Sequence, residues 1–351
     1  MNNGFYGFPS PTDSNIINAR EFDTSGTYSI PQNAKRLFIF AVGGGGGGAG
    51  GTRRDAASGS PGGNGGAAGT YVLTELPVSA FKGISTLQIV IGAGGNGGIA
   101  GTTNGASPAA ATSGGATQIW IPGQASYFIS AGGNLFGNGG VGTGISSNPN
   151  SGSSTGVSLL FGQPVKPMDV SLTGNPTLID VNSLNKVGGG VGAGARGGST
   201  GGNIFVFSPY ECGGAGGGSL NSATVANGGG SVAIYQPNSV NTVHGGAAFS
   251  TSFMLFGNYA PGTTIYQGVC GNGQADAPNS YEMIAPNLMF SSGFGGAGGG
   301  AGATGAGRRA TNGGNGYRGG GGGGGGGSCP GVTAGNGGAG GNGYVKIVAI
   351  G

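Results

Sequence analysis

The stretch Arg36-Leu37-Phe38-Ile39-Phe40-Ala41-Val42, followed at once by Gly43-Gly44-Gly45-Gly46-Gly47-Gly48-Ala49-Gly50-Gly51, decides the fold. The apolar part does not alternate with polar residues, so it reads as a strand buried on both faces. Glycine then removes the side chains altogether. The end of the chain runs in the opposite sense: Gly335-Asn336-Gly337-Gly338-Ala339-Gly340-Gly341-Asn342-Gly343 hands over to Tyr344-Val345-Lys346-Ile347-Val348-Ala349-Ile350.

The closing glycine run has a period of three. Asn336, Ala339 and Asn342 are separated by glycine pairs, and Ala93, Asn96 and Ile99 repeat the pattern. Three is the period of the left-handed polyproline II helix, which rises about 3.1 Å per residue and has no internal hydrogen bonds. Without Cβ atoms, several such helices can approach closely and bond to one another sideways, which makes a polyglycine II helix bundle the expected architecture. Gly94, Gly95, Gly97, Gly98, Gly337, Gly338, Gly340 and Gly341 are its expected structural glycines. Further rods are expected over residues 188–202, 213–218, 295–307 and 319–327, the last spanning roughly 28 Å at that rise.

Glycine and proline, 92 and 17 residues, make up nearly a third of the 351, a composition whose default is disorder. Ordering a backbone costs on the order of 1 to 2 kcal/mol per residue, and glycine loses the most freedom. The triplet register, the strand-like flanks and a net charge of only +3 point the other way. The cations are scattered apart from the doublets Arg53-Arg54 and Arg308-Arg309, so no nucleic-acid partner is expected. No stretch approaches the ~20 apolar residues of a membrane span, so no membrane insertion is expected either. The first residues lack the basic start and apolar core of a signal peptide, and synthesis in a cytoplasm is the expectation. Cys212, Cys270 and Cys329 are an odd, sparse set that does not read as a disulfide framework.

Taken in order, residues 1–20 read as a polar arm and candidate anchor. Residues 21–130 together with 336–351 read as an all-β, β-sandwich-like module. Its strands are expected near 22–30, 36–42, 70–74, 86–91, 116–121, 127–129 and 344–350. The glycine-rich bundle with long loops then occupies 131–335 as an insertion. Its bulkier segments carry aromatics, and loops held on rigid rods are where a scaffold displays recognition residues. Tyr210, Tyr235, Phe253, Tyr259, Tyr266 and Tyr281 are the receptor-binding candidates.

Motifs for chemistry are weak. Gly92-Ala93-Gly94-Gly95-Asn96-Gly97 satisfies G-x-G-x-x-G after a strand, yet the next residues, Gly98 to Gly105, cannot open a helix, and no acid lies between Glu75 and Asp169 to hold a ribose. No Gly-Lys-Ser or Gly-Lys-Thr occurs, and His244 is the single histidine. The glycine runs lack the aspartates of calcium-binding repeats. Asp276 and Glu282 are a thin basis for glycan cleavage. No catalytic residue, metal or cofactor is expected.

The segment Tyr28 to Phe40 running into polyglycine, the segment Thr86 to Gly98, and the closing Gly340 to Val348 together resemble the glycine-rich domain of bacteriophage tail fibres and tail-tip adhesins. That resemblance implies layered polyglycine II helices whose connecting loops touch the host receptor. It implies a non-enzymatic virion tail protein that binds a host cell-surface glycan or outer-membrane protein and contacts other virion tail proteins, with a homotrimer as one assembly compatible with that class. The long aromatic segments 157–187 and 231–290 depart from the pattern. Rival readings are a virion decoration or baseplate component without a receptor, and an ice-binding or matrix protein on the same rods.

Overall fold

The computed structural model describes residues 15–54, 60–81, 83–106, 108–125, 127–132, 158–160, 163–165, 186–188, 204–206, 213–222, 225–226, 228–229, 232–234, 293, 295–296, 298–302 and 309–351. Their regular secondary structure is almost all strand, chiefly in two antiparallel sheets, and the sole helical turn among the described residues is the 3-10 segment Val78–Phe81. The class is all-β.

In chain order the strands are β1 (Ile16–Phe22), β2 (Gly26–Ser29), β3 (Arg36–Val42), β4 (Tyr71–Pro77), β5 (Thr86–Val90), β6 (Thr117–Trp120) and β7 (Tyr127–Ala131). The short strands β8 (Ser158–Leu160), β9 (Gln163–Val165), β10 (Lys186–Gly188), β11 (Ile204–Val206), β12 (Leu220–Ser222), β13 (Val225–Ala226) and β14 (Val232–Ile234) come next, and β15 (Tyr344–Ile350) closes the chain. The first sheet has the order β1-β15-β3-β4-β10 and the second β2-β5-β6-β7-β8-β9.

The placement of β3 explains its sequence. It lies between β15 and β4, with Phe38 opposite Val348 on one side and Phe40 opposite Leu73 on the other. Leu37, Ile39 and Ala41 face a core shared with the second sheet, where Leu87, Ile89, Ile119 and Ile129 pack. Phe38, Phe40 and Val42 point the opposite way, into a cluster with Tyr71, Leu73, Tyr344, Val348 and Ile350. Both faces are therefore apolar, which is why the strand does not alternate. Phe40 contacts the rings of Tyr71 and Tyr344 at centroid distances of 6.1 and 6.3 Å.

Two features differ from the sequence expectation. The first strand starts at Ile16, inside the expected arm, and pairs along β15 as far as Phe22 opposite Val345. Its exposed Asn18, Ala19, Arg20 and Glu21 gave no alternation by which to read it. The region after 131 also returns strands to both sheets, with β8 pairing β7 and β10 pairing β4. A boundary near 131 therefore does not separate sheet from insertion.

Candidate functional site

The glycine segments share one orientation rule. Each of five has an end that meets a strand: 43 follows β3, 70 precedes β4, 91 follows β5, 116 precedes β6 and 343 precedes β15. At this sheet end Gly43 N donates to Thr70 O (2.9 Å), Gly44 N to Gly115 O (2.9 Å) and Gly45 N to Gly341 O (2.9 Å). At the far end Gly51 N donates to Gly335 O (2.8 Å) and Thr52 N to Pro61 O (3.1 Å).

Between these ends the bonding recurs every third residue. In segment 319–328 the amides of Gly322, Gly325 and Ser328 donate to Gly46, Ala49 and Thr52. Those of Gly323 and Gly326 donate to Gly314 and Thr311, and those of Gly324 and Gly327 to Ala215 and Gly218. Its carbonyls repeat the scheme toward three other segments. Gly319, Gly322 and Gly325 accept from Gly69, Gly66 and Gly63; Gly320, Gly323 and Gly326 from Gly341, Gly338 and Gly335; Gly321, Gly324 and Gly327 from Gly296, Gly299 and Gly302. The segment is buried throughout and enclosed by six others.

Followed outward, the bonds set the segments in three rows: 91–101, 335–343 and 311–317; then 109–116, 43–52, 319–328 and 295–302; then 60–70 and 213–220. Glycines on both sides of position 131 interleave in this array. Ala49, Ala67, Ala68, Ala215 and Ala301 are accommodated within the segments, but at the glycines that pack on a neighbouring backbone the spacing leaves no room for a side chain. A Cβ on Gly338 would land on the Gly314 carbonyl oxygen, and one on Gly341 on the Tyr317 carbonyl carbon. Of the other expected structural glycines, Gly94, Gly97 and Gly340 would meet the carbonyls of Gly340, Gly337 and Gly45, and Gly337 that of Gly48. Gly95 and Gly98 would meet those of Thr112 and Ala109.

An outer row lacks a neighbour on one side, and its outward amides need another acceptor. Asparagine supplies it. Asn342 Oδ1 accepts from Gly94 N (2.9 Å), Asn336 Oδ1 from Ala100 N (2.8 Å), Asn312 Oδ1 from Asn336 N (2.7 Å) and Asn315 Oδ1 from Ala339 N (2.8 Å). Thr112 Oγ1 does the same for Asn96 N (2.7 Å). The triplet side chains Ala93, Asn96, Ile99, Asn336 and Asn342 face solvent, with Ile99 62% exposed. The triplet period signalled these positions; nothing in the sequence announced the capping role.

Sequence reasoning also missed Arg318, which turns the chain from segment 311–317 into 319–328 at φ 36°, a left-handed conformation rare for a side-chain-bearing residue. Its guanidinium binds Asp23 through Nε to Oδ1 (2.7 Å) and Nη2 to Oδ2 (2.8 Å), lies 3.2 Å from Glu21 Oε2, and stacks 4.2 Å above the Tyr344 ring. Lys346 Nζ completes the group at 2.9 Å from Glu21 Oε1. Burial raises the Glu21 carboxyl, but the bond and charge of Lys346, with Tyr344 and Arg318, outweigh it and hold the group below its usual value. Burial pushes the Tyr344 hydroxyl far up, against the opposing pull of Arg318. The buried Tyr28 hydroxyl, which has no hydrogen-bond partner, is pushed up to about 12.

The receptor-binding candidates Tyr210, Tyr235, Phe253, Tyr259, Tyr266 and Tyr281 lie outside the described residues, as do His244, Asp276 and Glu282. The described chain resumes after residue 292 at Gly293, whose amide donates to Arg318 O (3.0 Å) at the sheet end of the array. The far end carries Arg53, Arg54, Ser60, Arg309 and a small cluster of Leu220, Ala301, Cys329 and Val332.

The family model for a glycine-rich domain matches residues 21–204, just over half of the 351-residue chain. No curated protein matches the chain.

Proposed function

The chain belongs to the glycine-rich domain family, and from that premise we propose that it is a bacteriophage tail-fibre or tail-tip adhesin, a virion protein that binds a host cell-surface glycan or outer-membrane protein. On this reading the glycine segments are polyglycine II helices in a layered bundle, and the two sheets form a β-sandwich base. The protein acts by binding and not by catalysis.

The observation that carries the reading is segment 319–328, whose backbone is enclosed by six other segments and is buried along its length. A scaffold fixed by backbone bonding alone leaves the connecting segments free to vary in sequence, which suits a protein whose partner is a variable cell surface. The aromatic residues between 210 and 281 are the contacts proposed for that partner, and rigid tyrosines supply contact area at low entropic cost.

Exchanging residues 231–267 for an unrelated loop tests it. The expected result is altered binding to intact bacterial cells with an unchanged melting temperature. Unchanged cell binding after exchange of every aromatic segment sinks the adhesin reading and leaves a structural virion component.

A further inference from the structure

The side-chain caps on the outer row follow the alignment of its segments. Segments 91–101 and 335–343 run antiparallel, with Gly343 N donating to Gly92 O (2.7 Å), Gly340 N to Gly95 O (2.8 Å) and Gly337 N to Gly98 O (2.9 Å). In that alignment Asn342 Oδ1 takes the Gly94 amide and Asn336 Oδ1 the Ala100 amide. Midway between these pairs Ala339 stands opposite Gly97, and a methyl group cannot accept a hydrogen bond. The Gly97 amide has no acceptor among the described residues, although the backbone on both sides of it is bonded as at its neighbours.

Two further alignments obey the same rule. Beside segment 311–317, Asn312 and Asn315 hold the amides of Asn336 and Ala339. The next place along falls to Arg318, whose guanidinium is a donor only and has nothing to offer the Asn342 amide. Beside segment 109–116, Thr112 Oγ1 holds Asn96 N. There Gly115 and Ala109 are matched to Ala93 and Ile99 through Gly115 N to Ala93 O (2.7 Å) and Ala109 N to Ile99 O (2.9 Å). Neither has an acceptor in its side chain, and the amides of Ala93 and Ile99 have none among the described residues. An outward amide is held where asparagine or threonine occupies the matched place, and is left to water where glycine, alanine or arginine does.

We infer that Ala339 occupies a vacant capping place, and that the residue at each matched position, not the backbone lattice, sets how firmly each outward amide of this face is held. An asparagine at 339 would close the gap between the caps at Gly94 and Ala100. Ala339 and Gly97 are both partly exposed, so the longer side chain has room. The inference rests on the array alone, and loss of the adhesin reading leaves it standing.

The test is amide hydrogen exchange of the full chain, comparing A339N with A339L. The expected result is exchange at Gly97 slowed about fivefold in A339N, with Gly94 and Ala100 unchanged. A339L adds bulk without an acceptor and should leave Gly97 as in the parent. Equal slowing in both variants makes shielding the cause and overturns the inference, as does parental exchange at Gly97 in A339N. T112V supplies the converse, since it removes the hydroxyl at nearly constant shape and should speed exchange at Asn96 about fivefold. Unchanged exchange at Asn96 overturns the inference, and should A339N not fold, this second variant decides.

Discussion

The two sheets and the glycine array solve one problem by opposite means. In the sheets, Phe38, Phe40, Leu37 and Ile39 are almost fully buried, and their side chains carry the burial. In the array the buried material is backbone, and position is fixed by which amide meets which carbonyl. The first strategy tolerates a missing methylene group at a graded cost; the second tolerates no added one at the glycines whose Cβ would fall on a neighbouring carbonyl. Hydrophobic burial is non-directional, whereas a hydrogen-bond lattice fails where one member is displaced.

The sharpest break in this comparison is Gly338→Val. Its Cβ would collide with the Gly314 backbone, which cannot rotate away as a side chain can. The expected destabilisation is about 4–5 kcal/mol or more, read as loss of the cooperative thermal transition. Ala339→Val, one residue on at a partly exposed position, is expected to stay within about 0.5 kcal/mol. Phe40→Ala in the sheets should cost about 3–5 kcal/mol and still leave a folded protein. A Gly338→Val protein that melts like the parent would remove the distinction between the two regions.

A smaller effect tests the array's surface. Replacing Asn336 and Asn342 by alanine strips the acceptors from Ala100 N and Gly94 N. The Gly94 bond is exposed and the Ala100 bond partly buried, so each loss is expected at about 1 kcal/mol, seen as faster amide exchange at 94 and 100 ahead of the rest. Uniform exchange would show that the asparagines are ornamental.

The strands and the triplet were legible in the sequence because each has a local signature. Tyr344–Ile350 and Arg36–Val42 appear in the structure at the residues where an apolar run is bounded by glycine. The neighbour relations were not legible. Gly322 and Gly325 are chemically identical to Gly323 and Gly326, yet one pair donates to segment 43–52 and the other to 311–317. Glycine encodes a backbone shape and not an address. The address comes from where β3, β4, β5, β6 and β15 release or receive each segment, and that depends on strand pairing far away in the chain. Arg318 was hidden for a related reason, since its partners Glu21 and Asp23 lie in and beside β1, and β1 has no alternation to read.

The smallest expected effect lies at the junction of the two regions. The depressed Glu21 carboxyl contributes stability that is present above its unfolded value near 4.3 and is lost as pH falls through the lower folded value. Its side chain is 39% exposed, so solvent screens the contribution. The melting temperature of Glu21→Gln should converge on that of the parent as pH drops below 4, with a gap of a degree or so at pH 7. A gap that widens in acid would show that the Lys346 and Arg318 contacts do not stabilise the ionised form.

The threefold bonding of segment 319–328 has a consequence for how such a chain can change length. Removing one glycine moves every later amide on by one place in the repeat of three, so each faces a different segment from the one it formerly served. Losing three restores every alignment and merely shortens the segment. Insertions and deletions within these runs are therefore viable in multiples of three, the same arithmetic that a reading frame imposes on the codons beneath them.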